Sequence, residues 1–247
     1  MPGRAGDEES GRPTPPGEAE MRFLVRLRRA ARAGQSLENI PEADSAGLFG
    51  QDALTVDAAT PDHGLQLLWC DPSDGFGRDL DDLQFALGDG PGPEAARSGL
   101  DIDEPDLEVV DPARWPGFLP AAADTPARAL IALPLRLGTV TVGVLTGYRT
   151  APGRLTDEQL HALHRLRRAL LPLLLQTKPA LNNGPHAPPG LHNAEIHQAT
   201  GYLAVQLGIG IQQALLRIRA RAVSEGESPA TVARAVLDGT LSAEAWF

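Results

Sequence analysis

The chain has 247 residues, enough for one large or two modest domains, and its 42% apolar fraction is sufficient for a buried core. The net charge of −10 argues against a protein that coats nucleic acid through bulk positive charge. The single cysteine, Cys70, excludes an internal disulfide and a cysteine-built metal site, and no apolar run approaches the roughly twenty residues that span a bilayer. The opening MPGRAGDEES lacks the features of a secretory signal, so a soluble cytoplasmic protein with no membrane partner is expected.

Residues 1–20 are rich in Pro, Gly, Glu and Ser and are expected to form a disordered tail. Met21 to Ala33 reads as a basic amphipathic helix: Phe23, Leu24, Leu27, Ala30 and Ala31 share one face, while Arg22, Arg26 and Arg29 share the other. Such a helix either touches a membrane or nucleic acid, or packs its apolar face on the following domain or a second copy. From about 45 the pattern becomes mixed. Leu54–Ala58 and Leu65–Trp69 read as short strands around a Pro-Asp-His-Gly turn. Leu130–Leu137 and Val140–Tyr148 read as a hairpin turning at Gly138, with Val140, Val142 and Val144 expected on one buried face. Leu155–Gln176 reads as a long helix. Thr156 and Gln159 form its capping box, and Leu160, Leu163, Leu166, Leu170 and Leu174 form its stripe; Pro172 is expected to weaken its last turn. Lys178–Gly190 is a Pro/Gly/Asn-rich linker.

After it come three helical patterns: Ile196, Ala199, Leu203 and Leu207; then Ile211, Ala214, Leu215, Ile218 and Ala222; then Val232, Ala233, Val236 and Leu237. Gly208 and Gly210 separate the first two, Gly226 ends the second, and Ser228-Pro229 starts the third. A unit of about fifty residues is marginal alone. The expected class is therefore α+β, an antiparallel sheet with flanking helices at 21–177, followed by a small all-α unit at 191–247.

Two resemblances sharpen this. Gln198-Ala199, Gly201, Ala214, Ile218-Arg219 and Val232-Ala233 resemble, in order, the ANTAR domain, the helical RNA-binding module of bacterial transcription antiterminators. The family commonly has Lys between the Ala and the Gly of the first helix, where this chain has Thr200. The middle region resembles a GAF sensor domain through Leu83-Gln84-Phe85, Leu87 to Pro91, Glu94-Ala95, Arg114-Trp115-Pro116, Leu133-Pro134-Leu135 and Gly143 to Arg149. A Cys often follows the Gly-Pro of that loop in the family; here Gly92 and Pro93 follow. The resemblance implies a signal-responsive regulator that binds RNA hairpins in nascent transcripts and acts by antitermination. It implies a small-molecule ligand in the GAF-like part, no cofactor and no catalysis. Gln198, Thr200, Gly201, Arg217, Arg219 and Arg221 are the expected RNA-binding residues, and Thr200→Lys is expected to tighten binding. The leucine-rich helical faces lead to the expectation of a homodimer.

Charge alone does not favour RNA: residues 191–247 carry four arginines against five carboxylates. The alternative is a head without RNA binding that serves as a dimerisation or protein-interaction module. Other candidate chemistry is sparse. His161 and His164 have a metal-compatible spacing but no nearby Cys and no HExxH pattern. Asp71, Asp74, Asp79, Asp81 and Asp82 lack calcium-loop spacing and read as a solvated stretch. The Gly88–Pro93 loop lacks the Lys-Ser/Thr of a phosphate-binding loop, so it either borders a sensor pocket or is a tight turn into a helix near Glu94. Cys70 reads as a small buried hydrophobe.

Overall fold

The computed structural model describes residues 16–40, 45–60, 64–73, 75–177, 194–227, 229–241 and 246. Its first part runs α1 (Pro16–Arg32), β1 (Ala53–Ala59), β2 (Leu65–Asp71), α2 (Phe76–Leu87), α3 (Pro91–Ser98), β3 (Ile102–Glu104), α4 (Phe118–Ala122), β4 (Ala129–Leu137), β5 (Val140–Arg149) and α5 (Asp157–Gln176). The strands form one antiparallel sheet in the order β2-β1-β5-β4-β3. The expected antiparallel sheet with flanking helices is what forms.

Both faces of the sheet are covered, so its strands feed two cores. Leu54, Val56, Ile131, Leu133 and Leu145 pack against α1 and α5. Ala53, Leu130, Ala132, Val144 and Tyr148 pack against Leu80 of α2, Ala95 of α3, Trp115 and Phe118. The expected single buried face of Val140, Val142 and Val144 does not occur. The register shifts between Leu135 and Arg136, so that Val142 joins the α1/α5 core and Val144 the opposite one, while Val140 at the hairpin end is exposed.

The long helix forms with its expected cap: Gln159 N–H donates to Thr156 Oγ1 at 3.2 Å, and Thr156 N–H to Gln159 Oε1 at 2.9 Å. Pro172 is accommodated inside it, and the helix continues to Gln176. Its leucines, however, are not a free surface. Leu163, Leu166, Leu170 and Leu174 are buried against the sheet and α1, and Leu160 is partly covered, so this face is not the expected dimer contact. The basic helix packs its apolar face inward, with Phe23, Leu24, Leu27 and Ala30 buried. It also starts earlier than the tail reading allowed, at Pro16, which makes residues 16–20 helical. The physical reason is Glu20, buried and paired with both nitrogens of the Arg165 fork on α5 at 2.8 and 3.0 Å. Residues 1–15, the Pro61-Asp62-His63 turn, the linker 178–190 and the Ser228 cap lie outside the described residues.

The C-terminal part contains α6 (Ala194–Leu207), α7 (Ile211–Glu225) and α8 (Pro229–Leu237). Breaks fall at the expected glycines; Gly208 and Gly226 take left-handed φ values of 61° and 68°, which a side chain resists. Ile196, Ala199, Leu203, Ala214, Ile218, Ala222, Val232, Ala233 and Val236 form the shared core. Ile211 and Leu237, expected in the stripes, are exposed.

Because Leu163 of α5 is fully buried in the core that α5 shares with α1 and the sheet, Leu163→Ala should cost about 2–5 kcal/mol in urea denaturation, whereas Val140→Ala at the exposed hairpin end should change stability by less than about 0.5 kcal/mol.

Candidate functional site

The sheet face under α2 carries polar groups where a core would be apolar. Thr55 and Asp57 on β1 alternate with Leu54 and Val56, and Thr55 lies directly opposite Thr146 on β5. Thr55, Asp57 and Thr146 are 0 to 1% exposed, and Asp81 and Gln84 of α2 close over this face, also buried. Gln84 Nε2 donates to the Tyr148 hydroxyl at 3.0 Å, while Gln84 Oε1 accepts from Gly92 N–H at 2.7 Å. One side chain therefore ties the sheet, α2 and the start of α3 together. Neither oxygen of Asp57 has a well-formed hydrogen bond among the described residues. Burial raises the Asp57 pKa from 3.8 to about 7; interaction with the Asp81 side chain lowers it, and the charge of Asp82 raises it. Burial, then the charges of Asp81 and Asp57, hold the Tyr148 hydroxyl protonated well above its ordinary range. An acidic, oxygen-rich cluster with no basic side chain among its members suits a ligand that donates hydrogen bonds or brings positive charge.

The Gly88–Pro93 loop is a junction. Gly88 ends α2 with φ 65° and Pro91 opens α3, three residues earlier than expected. Asp89 accepts from Gly117 N–H at 3.1 Å at the start of α4. Glu94 accepts from the Trp115 indole at 2.7 Å and pairs with Arg114 at 3.0 Å; the Arg114 hydrogen bond is the main cause of its lowered pKa. The GAF-like motif residues thus act here as fasteners around the polar face.

The acidic stretch is not simply solvated. Asp71 is buried and accepts from Ser45 N–H, from the Ser45 hydroxyl and from Ala46 N–H, and Asp81 is in the polar cluster; Asp79 is exposed and Asp74 lies outside the described residues. The two buried carboxyls serve the interior of the fold rather than its surface charge. Cys70 is half-buried, with its thiol directed at Ser73 O at 3.5 Å. His164 lies 3.9 Å from Asp101, and burial followed by the charge of Arg167 lowers its pKa. Among the described residues no group of three or more His, Cys, Asp or Glu is placed to hold a metal ion, and no helix is long and apolar enough to cross a membrane. Surface cavities lie elsewhere: one of about 320 Å³ beside Arg136, Arg167 and Arg168, and one of about 280 Å³ along Val25, Arg28, Arg29 and Arg32.

The expected RNA-binding residues do not form one open face. Gln198 is exposed and Gly201 has open space beside it. Thr200 is 3% exposed, and its hydroxyl donates to Ile196 O at 2.6 Å. This corrects its assignment as an RNA contact: a lysine there would place its charge in the helical core, so Thr200→Lys is expected to destabilise the unit. Arg217 donates to Trp246 O at 3.1 Å. Arg221 pairs with Glu225 at 2.8 Å and lies 5.3 Å from the centre of the Trp246 ring. Arg219 instead faces the α+β part, with its guanidinium 5.2 Å from the centre of the Phe85 ring.

No family model and no curated protein matches the chain. Among solved structures it is similar to the GAF domain of an Acinetobacter phosphoenolpyruvate-protein phosphotransferase, at 12% identity and TM-score 0.47, covering 64% of this chain and 93% of that one. It is similar to free methionine-R-sulfoxide reductase from Neisseria meningitidis, solved with its substrate, at 15% identity and TM-score 0.48, covering 67% and 94%. A phycocyanobilin-bound GAF domain from a cyanobacterial phytochrome is similar at 15% identity and TM-score 0.47, covering 64% and 97%. These are distant likenesses of shape.

The state of Asp57 gives a signed pH dependence. Because its folded pKa is raised, its contribution to stability is full below pH 3.8 and is lost as pH rises to about 7, with each tenfold change in proton affinity worth about 1.4 kcal/mol. Asp57→Asn should flatten the stability profile between pH 4 and 8 and raise the melting temperature most at pH 8. Thermal denaturation across that range checks this, and an unchanged pH slope in the variant would exclude Asp57 as the group responsible.

Proposed function

We propose that the chain is a signal-responsive regulator in which a GAF-like α+β sensor governs an ANTAR-like three-helix head that binds RNA hairpins in nascent transcripts and acts by antitermination. The reading is carried by the head. Its breaks fall at Gly208–Gly210 and after Gly226, and the family-patterned Ala199, Ala214, Ile218, Val232 and Ala233 are its buried core. Residues that set a helical module's packing are thus in place, and Gln198, Gly201, Arg217 and Arg221 remain at or near its surface. Stabilising a hairpin that competes with a terminator requires binding alone, so the mechanism calls for no catalytic group. On the sensor side, the buried Asp57–Asp81 cluster is the proposed ligand site, for a small hydrogen-bond donor or cation.

A second reading is favoured by a specific observation. Tyr202, Val205, Leu216 and Val223 of the head are 51 to 82% exposed, and Arg217, Arg219 and Arg221 have intramolecular partners. In that reading the head is a dimerisation or protein-interaction module without RNA binding.

Crosslinking of the protein to RNA in cells, followed by sequencing of the bound RNA, separates the two. Recovery of hairpin-containing leaders supports antitermination; recovery of no RNA above background overturns it. With a recovered hairpin, Arg217→Ala or Arg221→Ala should weaken binding and lower the log-log salt slope by about one for each phosphate that is no longer neutralised.

A further inference from the structure

Phe85 belongs to α2, yet it is buried in the core of the head rather than in either core of the sheet. The residue is 7% exposed, and its ring meets His197 of α6 edge-on, with centroids 5.7 Å apart at 63°. The Arg219 guanidinium of α7 covers the same ring. Gly88, just beyond the end of α2, leaves the room this needs: a Cβ there would lie 2.8 Å from Arg219 Nη1. Arg219 Nε is buried without a hydrogen-bond acceptor, and no carboxylate pairs with Arg219 among the described residues. Loss of hydration lowers the pKa of Arg219, and the same loss followed by the charge of Arg219 lowers that of His197. A partly buried guanidinium whose Nε is unpaired and whose plane lies over a ring is held more weakly than a carboxylate or phosphate would hold it.

We propose that the outer end of α2, Phe85 with Gly88, is a docking surface for the chain's own head, and that docking shields Arg219 from RNA phosphate. The occupant is α6 and α7, seated through His197 and Arg219. The surface is connected to the sensor cluster by helix geometry. Asp81, Phe85 and Gly88 follow one another at i, i+4 and i+7 and so lie along one stripe of α2 and its cap, from the Asp57 side chain at one end to Arg219 at the other. A ligand that displaces α2 at Asp81 moves the platform on which Arg219 rests. The RNA consequence rests on the antitermination reading above; the docking itself does not.

The test uses the full chain and the RNA hairpin recovered by crosslinking, or a pool of synthetic hairpins where none is recovered. If docking leaves the head free one tenth of the time, undocking strengthens binding about tenfold. Phe85→Ala should therefore raise hairpin affinity by about that factor, and His197→Ala should act in the same direction from the other side of the contact. Arg219→Ala should change little in the otherwise native chain but abolish the gain in the Phe85→Ala background. Amide hydrogen exchange supplies the second readout: α7 and the end of α2 should exchange faster in Phe85→Ala and His197→Ala, with β1 and β5 unchanged. If the native chain and both variants bind the hairpin equally, shielding is overturned while the RNA reading stands. If none binds but exchange at α7 rises, the docking surface stands and the RNA reading falls. Unchanged exchange in both variants overturns the docking surface itself.

Discussion

Covering the sheet on both faces is the constraint on which the rest depends. A sheet with one wet face tolerates polar alternation freely, but here the inward residues of β1 and β5 meet helix on one side or the other. Thr55, Asp57 and Thr146 therefore sit in places where a methyl group would be the stable choice. Their presence sets the α2 side of the sheet apart from an ordinary apolar core, and the fasteners around it serve to hold α2 and α3 over it. Gln84 is central: it commits both ends of its amide, one to Tyr148 and one to the backbone of α3.

The opposite face supplies the rigid frame. α1 and α5 lie side by side over it, joined by the Glu20–Arg165 pair and by the buried leucines of both helices. Below them, Thr177 Oγ1 accepts from Leu37 N–H at 3.1 Å, and Gln176 Nε2 donates to Ala31 O at 3.1 Å. The segment that enters the α+β part and the segment that leaves it are thus secured to each other. The frame is thus held by contacts independent of those that fasten α2 and α3 on the other face.

Legibility in the sequence follows the range of the interactions. The long helix, its capping box, the hairpin and the three C-terminal helices are readable because their signals lie within a few residues of one another: Thr156 with Gln159, Gly138 between two apolar runs, Gly226 before Pro229. The start of α1 is not readable, since Glu20 gains its partner 145 residues away. The candidate site is hidden for a similar reason. Thr55 and Asp57 alternating with Leu54 and Val56 have the ordinary pattern of a strand with one solvated face, and only α2 arriving from another part of the chain turns that face into an interior. Leucine stripes are visible, but what covers them is not; α5 turns its stripe to α1 and the sheet. Among the arginines, spacing places Arg217 and Arg221 on one side and Arg219 on another, and the contacts keep that division: two bracket Trp246, one meets Phe85.

The pinned Thr177 also fixes how the head is tethered. Residues 178–193 are the sixteen that join it to α6, so the head is held to the α+β part by a short covalent connection anchored at one defined point. For short tethers the effective concentration of one end near the other is on the order of millimolar. At that concentration a contact centred on the Phe85 ring, with the Arg219 guanidinium and the His197 imidazole against it, needs only feeble intrinsic affinity to be occupied most of the time. The same arithmetic makes it easy to vacate. A partner in solution competes against a local concentration, not against a tight bond, and the balance point is set by the length of the connection as much as by the chemistry at Phe85.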